Sequence, residues 1–168
     1  FKTSAYLADK LEAMGYKVTR NIGGTGVIGE IKGSEPGPVM MLRADMDALP
    51  FLIDGEKKNI HACGHDAHSA MLLAAASELV GKVKRGTLRI LFQQGEETLK
   101  GALAVIDAGV IEDVDIALGL HIRPVQDIAY GEMSPAVRHA SSTFVNVVIN
   151  GLSSHGARPP LGVNAIAA

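Results

Sequence analysis

The first part of the chain shows two kinds of hydrophobic spacing. Residues 3–14 carry apolar side chains at helical spacing, and Gly15 follows them as a natural helix end. Residues 16–22 and 26–31 alternate between apolar and polar positions, as half-buried strands do. The pattern therefore predicts one helix followed by two strands.

Three later stretches are apolar without alternation, which is the pattern of strands buried on both faces. They are residues 39–45, 87–92 and 115–120. Helices are predicted between these strands, over residues 66–80 and 98–108. Helices that alternate with apolar strands predict an α/β domain with a largely parallel sheet.

The pattern changes near the end of the chain. An alternating strand is predicted over residues 142–150, and residues 164–168 resemble the start of a helix. We interpret residues 1–135 as the first segment of one domain and residues 136–168 as the beginning of another. Since the chain starts with Phe1 rather than Met and stops within a predicted helix, we expect it to be a piece of a longer protein.

Composition limits the classes of partner. The 168 residues are 47% hydrophobic and 20% charged, which is enough apolar material for a buried core. The net charge is −2, and no apolar run has the length of a membrane span, so we expect neither a nucleic-acid nor a membrane partner. The single cysteine, Cys63, cannot form an internal disulfide, and we therefore expect a cytoplasmic protein.

Residues 24–29 match the dinucleotide-binding pattern G-x-G-x-x-G letter for letter. A dinucleotide site needs a helix to begin there, because the helix N-terminus binds the pyrophosphate. The residues that follow are typical of a strand rather than a helix. We interpret these glycines as part of a hairpin.

Side chains that can bind metals follow each of the three predicted buried strands. They are Asp45 and Asp47 after the first, Glu96 and Glu97 after the second, and His121 after the third. The carboxyl ends of strands in open α/β sheets form the crevice where ligands bind. A fourth cluster, His61–His68, leads into the predicted helix and contains Cys63 and His65, whose spacing lets both side chains point the same way.

Each group has an ordinary structural explanation when it is taken alone. Asp45 and Asp66 suit helix caps, His121 suits a hydrogen-bonded loop residue, and for His68 we favour a packing or supporting role. Together they place thiolate, imidazole and carboxylate groups at one sheet edge, where buried anions would repel one another unless cations neutralised them. This mixed donor set suits zinc or another first-row divalent ion such as Mn²⁺.

The adjacent glutamates suit hydrolysis of an amide. Metal ions polarise an amide carbonyl and lower the pKa of a bound water toward neutrality. A carboxylate that does not bind the metal can take the water's proton and pass it to the leaving nitrogen. Neighbouring glutamates allow one to act as ligand and the other as base.

Four segments in this order closely resemble the M20 metallopeptidases, in the branch of aminoacylases, hippurate hydrolases and auxin-conjugate hydrolases. The segments are Leu42–Pro50 (LRADMDALP), His61–His68 (HACGHDAH), Phe92–Glu97 (FQQGEE) and Gly119–His121 (GLH). The resemblance covers essentially the whole chain. It implies a zinc-exopeptidase-like α/β catalytic domain, with a mostly parallel sheet and helices on both faces, followed by a smaller α+β lid that forms a homodimer.

The same resemblance implies roles for individual residues. The implied ligands of two divalent ions per subunit, Zn²⁺ or Mn²⁺ with Co²⁺ or Ni²⁺ as further candidates, are Cys63, His65, Glu97 and His121. Glu96 would be the general base, and Asp47 would support a ligand from behind it. Residues 151–159 resemble the lid signature, so His155 would help hold the substrate's oxyanion in the partner subunit's site.

The chain departs from the family in two respects. Members are much longer and carry a further metal-binding histidine near their C-terminus, which no position here supplies. The stretch of residues 51–60 is also shorter than usual. The implied substrate is an N-acyl amino acid or small peptide whose identity stays open. Two alternatives also stay open: a hydrolase with Cys63 as nucleophile and a histidine as base, and a non-catalytic binding module that has kept the fold.

Overall fold

The computed structural model describes residues 1–135 and 145–167. The chain divides into two compact units, residues 1–127 and residues 128–168. The division into a catalytic segment and a lid at residue 135 stays a prediction. Among the described residues, no helix combines the length and the apolar character needed to cross a membrane.

The helices and strands predicted between residues 3 and 120 are all present, with bounds that differ by a few residues. In chain order the elements of the first unit are α1 (Lys2–Ala13), β1 (Lys17–Ile22), β2 (Gly26–Lys32), β3 (Glu35–Asp45), β4 (Leu49–Ile53), β5 (Glu56–Ile60), α2 (His65–Leu79), β6 (Arg85–Gln93), α3 (Gly101–Asp107) and β7 (Ile116–Gly119).

Five strands form a mixed sheet in the order β1-β2-β6-β3-β7. β3 is parallel to β6 and β7, whereas β2 is antiparallel to β1 and β6. The expectation of a mostly parallel sheet is therefore wrong for the β1-β2 side. The turn at residues 23–25 is too short for the crossover that parallel strands need, and Gly23 and Gly24 supply its positive φ angles. The glycine pattern is thus part of a hairpin, as predicted.

Neighbouring residues of β6 belong to two different apolar clusters. Ile90 and Phe92 are buried in a cluster that includes Leu11 of α1 and Leu72 of α2. Leu91, between them, belongs to a second cluster with α3. Since successive side chains of a strand point to opposite faces, both faces of β6 are buried. Packing on both faces holds β6 in place, and Glu96 and Glu97 follow its carboxyl end. For the domain as a whole, helices on both faces stay a prediction.

The strand predicted over residues 115–120 exists as β7, but the prediction that it is buried is wrong. The side chains of Ile116 and Leu118 are 44% and 55% exposed. The reason is its place in the sheet, because within the described part of the chain β7 lies at the edge and pairs with β3 alone. An apolar run predicts a strand, but burial depends on neighbours that the run does not specify.

The short stretch at residues 51–60 forms most of a separate two-stranded hairpin, β4-β5. Its turn is Asp54-Gly55, with φ angles of 52° and 79°. Two left-handed residues in succession are typical of a type I′ hairpin turn. The hairpin leads directly from Asp47 to the cluster that begins at His61.

The second unit contains little regular structure among its described residues. Leu152 and Val163 form an isolated bridge, and Pro159–Leu161 form one 3-10 turn. The strand predicted over residues 142–150 is wrong for residues 145–150, which form no strand, while residues 142–144 lie outside the described residues. Ala167 N–H donates to Asn164 O in a turn where a helix start was predicted.

Candidate metal centre

Three strand ends and the start of a helix meet at one edge of the sheet. β3 ends at Asp45 and β6 at Gln93, and their carboxyl ends lie together because the two strands are parallel to each other. β7, also parallel to β3, leads to His121. α2 starts in the same place, at His65. The parallel half of the sheet is therefore the half that builds the site.

Gly64 lets the chain turn sharply into α2. Its φ and ψ angles are 81° and 21°, a left-handed conformation that other residues rarely adopt. A Cβ atom at this position would overlap the side chain of Ile122. Gly64 thus allows the loop at residues 61–64 to pack closely against Ile122 in the segment after β7.

His65 has one ring nitrogen engaged and one free. Its Nδ1 donates a hydrogen bond to the main-chain oxygen of Asp47 at 3.0 Å, so Nε2 is the ring nitrogen left for another ligand. Nε2 is buried and has no hydrogen-bond partner among the described residues, and the same holds for Glu97 Oε1 and Asp47 Oδ1. The distance between His65 Nε2 and Glu97 Oε1 is 3.8 Å. Buried lone pairs left unpartnered this close together fit a bound cation.

Cys63 and His121 complete the metal-competent set. His121 Nε2 lies 3.6 Å from Cys63 Sγ, and His121 Nδ1 donates to Ile122 O at 2.5 Å. Burial, followed by the negative charge of Glu97, raises the pKa of the Cys63 thiol. A bound cation would reverse that effect, because it deprotonates a coordinating thiol.

Among the described residues, two overlapping groups have donor atoms within 4.8 Å of one another. One consists of Cys63, His65 and Glu97, and the other of Asp45, His65, His68 and His121. Thiolate, imidazole and carboxylate donors in one cluster suit zinc or a similar divalent ion. The residues present therefore fit such ions. The two groups share His65, and between them they contain every ligand implied by the sequence.

Asp45 and His68 lie deeper in the site than their positions in the sequence indicate. Both side chains are almost fully buried, and His68 Nδ1 lies 2.6 Å from Asp45 Oδ1. Arg43 Nη1 donates to the other carboxylate oxygen at 2.9 Å. Burial raises the pKa of Asp45, but the hydrogen bond from His68 and the charge of Arg43 outweigh it and lower that pKa overall. Gly64, at the start of α2, offers no side-chain cap, whereas the Asp66 carboxylate accepts a hydrogen bond from Ala67 N–H in the first turn.

The remaining predicted residues take three different positions. Glu96 is about one-third exposed, with Oε2 3.9 Å from His65 Nε2. Asp47 contacts two of the implied ligands. Its Oδ2 accepts a hydrogen bond from Glu97 N–H, and its main-chain oxygen accepts the bond from His65 Nδ1. His155 belongs to the second unit, where it is exposed and its Nδ1 accepts a hydrogen bond from Ala157 N–H.

The chain is similar to several known proteins. The model of peptidase family M20/M25/M40 matches residues 41–159. The hippurate hydrolase of Campylobacter jejuni is 37% identical over 166 residues, covering 94% of this chain and 43% of that protein. The N-acyl-L-amino acid amidohydrolase of Geobacillus stearothermophilus is 36% identical over 182 residues, covering 99% of this chain and 48% of that protein.

Among solved structures, the chain is similar to the Bacillus subtilis YXEP protein, a dinuclear metal binding peptidase from the M20 family. The TM-score is 0.67 at 37% sequence identity, over 73% of this chain and 37% of that one. This chain thus spans less than half the length of the relatives it matches.

Proposed function

The chain belongs to peptidase family M20/M25/M40, and on that premise we propose that the whole protein is a metal-dependent amidohydrolase. The observation that carries this proposal is a pair of buried atoms beside Cys63, His65 Nε2 and Glu97 Oε1, that have no hydrogen-bond partner in the described part of the chain. The substrate class we propose is an N-acyl amino acid or a small peptide. The names of the hippurate hydrolase and the N-acyl-L-amino acid amidohydrolase support that class.

In this proposal two divalent ions, with Zn²⁺ and Mn²⁺ as the first candidates, bind at the carboxyl edge of the sheet. Their ligands are Cys63, His65, Glu97 and His121. When bound, the ions supply Lewis acidity, which makes the amide carbonyl more electrophilic and water more acidic. The chain's own contribution is orientation. Asp47 holds His65 through its main-chain oxygen and Glu97 through its carboxylate.

Glu96 is the proposed general base. Its carboxylate is more exposed than that of Glu97 and belongs to neither of the clustered donor groups. It is therefore free to take a proton from the attacking water and deliver it to the leaving nitrogen. The lower exposure of Glu97, 25% against 36% for Glu96, supports this division of roles between the adjacent glutamates.

We also propose that the protein is a homodimer in which His155 serves the partner's site. The support is the resemblance of residues 151–159 to the family's lid signature. His155 would donate a hydrogen bond to the oxyanion that develops on the substrate, where a well-placed donor stabilises the transition state.

A second candidate function rests on the contact between Cys63 Sγ and His121 Nε2. A thiol and an imidazole at 3.6 Å suit a cysteine nucleophile with a histidine base. A nucleophilic cysteine needs a lowered pKa, however, and burial together with the neighbouring carboxylates raises the pKa of this thiol. We therefore place the metal-dependent reaction first.

The metal content of the whole protein, purified without chelator, tests the proposal. We expect about two equivalents of a divalent transition metal per chain, and hydrolysis of N-acyl amino acids that chelation abolishes and metal restores. A metal-free protein whose hydrolysis survives chelation and stops on thiol alkylation would favour the cysteine mechanism. A protein that binds ligands but hydrolyses none would favour the binding module.

A further inference from the structure

His68 lies against the candidate metal centre with both of its ring nitrogens already occupied. Its side chain is fully buried. Nδ1 lies 2.6 Å from Asp45 Oδ1, and Nε2 lies 2.9 Å from the main-chain nitrogen of Ile122. Each nitrogen of an imidazole has a single direction for a hydrogen bond or a metal bond, so His68 has neither direction free.

The two contacts together determine which nitrogen carries the proton. The N–H of Ile122 can only donate, so Nε2 of His68 must be the unprotonated acceptor. Nδ1 then carries the proton and donates it to the carboxylate of Asp45. A metal bond to Nε2 would displace the Ile122 amide and leave a main-chain donor without a partner.

Ile122 connects His68 to one of the implied ligands. While its N–H donates to His68, its carbonyl oxygen accepts the hydrogen bond from His121 Nδ1. That bond keeps the proton of His121 on Nδ1 and leaves Nε2 directed at Cys63 Sγ. The rings of His68 and His121 are also in contact, with centroids 4.4 Å apart.

The other end of this chain of contacts is anchored on the sheet. Asp45, the last residue of β3, accepts a hydrogen bond from Arg43 on its carboxylate and another from Ser69 Oγ on its main-chain oxygen. Arg43 in turn donates to Gln93 at the end of β6. His68 therefore links two rigid strand ends to the loop after β7.

We propose that His68 is a positioning residue that stands outside the ligand set and, through the main chain of Ile122, fixes the direction from which His121 reaches the metal. The inference rests on the proposed function in so far as His121 binds a metal. Gly64 packs against the same segment, because any side chain there would overlap Ile122.

The first test is nuclear magnetic resonance of the protein labelled with ¹⁵N in its histidines, followed through a Zn²⁺ titration. We expect His68 to keep a protonated Nδ1 and an unprotonated Nε2 throughout, while Nε2 of His65 and of His121 shift on binding. A metal-type shift of His68 Nε2 alongside them would overturn this inference alone. An absence of any histidine response would overturn the proposed metal centre as well.

The second test separates the two contacts of His68 with two substitutions. In His68→Gln the side-chain amide reaches the position of Nε2 and can still accept from Ile122 N–H. In His68→Asn the amide stands near Nδ1 and can serve only Asp45. We expect His68→Gln to keep its Zn²⁺ affinity within a few-fold, and His68→Asn to lose roughly 10- to 100-fold, with an altered His121 resonance.

The control is Ser77→Ala, on the exposed part of the same helix, which should leave Zn²⁺ affinity unchanged. If His68 served only to stabilise the fold, both His68 variants would lower the unfolding temperature and bind Zn²⁺ like the parent protein. That result would overturn the inference. If either variant failed to fold, the titration of the unsubstituted protein would still decide the matter.

Discussion

Two clusters of polar and charged side chains in the first unit differ in whether their buried atoms all have hydrogen-bond partners. Around Arg89 on β6, the guanidinium donates to Glu30, to Asp113 and to the main-chain oxygen of Val110. At the carboxyl edge of the sheet, the buried atoms Glu97 Oε1 and His65 Nε2 have no hydrogen-bond partner among the described residues.

The difference teaches how to separate a structural ion cluster from a functional one. A buried charge is costly unless it is paired, so a cluster that only stabilises the fold contains its own counter-charge. Arg89 meets that requirement with its two carboxylates. The crevice cluster does not, and a cation from outside the chain is the partner that would complete it. Four predictions test this contrast.

The largest expected effect is on turnover in the crevice. Replacing the proposed base in Glu96→Gln should lower kcat by roughly 10²- to 10⁴-fold, because the amide cannot accept the proton. Metal content should stay at the parent value, since the exposed carboxylate belongs to neither donor group. Steady-state kinetics and elemental mass spectrometry on the same preparation measure both quantities.

The matched control for that experiment is Glu97→Gln. It changes the adjacent carboxylate in the same way, but it should lower metal content together with turnover. Equal loss of metal in the two variants would contradict the division of roles between them.

The next effect is on stability, at the complete cluster. Arg89→Met should lower the free energy of unfolding by roughly 3 kcal/mol, because it leaves the largely buried carboxylate of Glu30 without its partner. Zn²⁺ affinity should be unchanged. Chemical denaturation and a Zn²⁺ titration check the two halves of this prediction, and a loss of Zn²⁺ affinity would show that the two clusters are coupled.

The convergence of the crevice residues could be predicted from the sequence for a simple reason. Apolar runs locate β3 and β6, and their parallel pairing brings the residues after Asp45 and Gln93 together. The hairpin at residues 51–60 was also predictable, because Asp54-Gly55 is the typical signal for a two-residue turn.

The place of His68 could not be predicted in the same way. Its position one turn into α2 indicates only that it lies on the same face as His65. Its partners, Asp45 and Ile122, lie 23 and 54 residues away along the chain. The exposure of β7 escaped prediction for a related reason, because burial depends on which elements pack against a strand and an apolar run does not name them.

A smaller effect on stability should come from the metal itself. A ligand that binds only the folded protein stabilises it by about 2.7 kcal/mol at a hundred times its dissociation constant. We expect Zn²⁺ to raise the unfolding temperature of the parent and of Arg89→Met alike. In Cys63→Ser the increase should be much smaller. An equal increase in Cys63→Ser would place the binding site elsewhere.

The smallest effect is the pH dependence of the pair between Arg89 and Asp113. The hydrogen bond from Arg89 lowers the pKa of Asp113 below its ordinary value, although burial opposes this shift. A carboxyl group whose pKa is lower in the folded state stabilises that state above the pKa of the unfolded chain, which is about 3.9 for Asp, and loses this contribution as pH falls through the folded value. The stability difference between the parent and Asp113→Asn should therefore be constant near neutral pH and shrink below about pH 4, as urea unfolding at several pH values would show.

Glu112→Gln, on the neighbouring residue, controls for the loss of a nearby charge. If instead the parent became more stable relative to Asp113→Asn as pH fell, ionised Asp113 would be destabilising. The carboxylates around Arg89 would then not be fully paired.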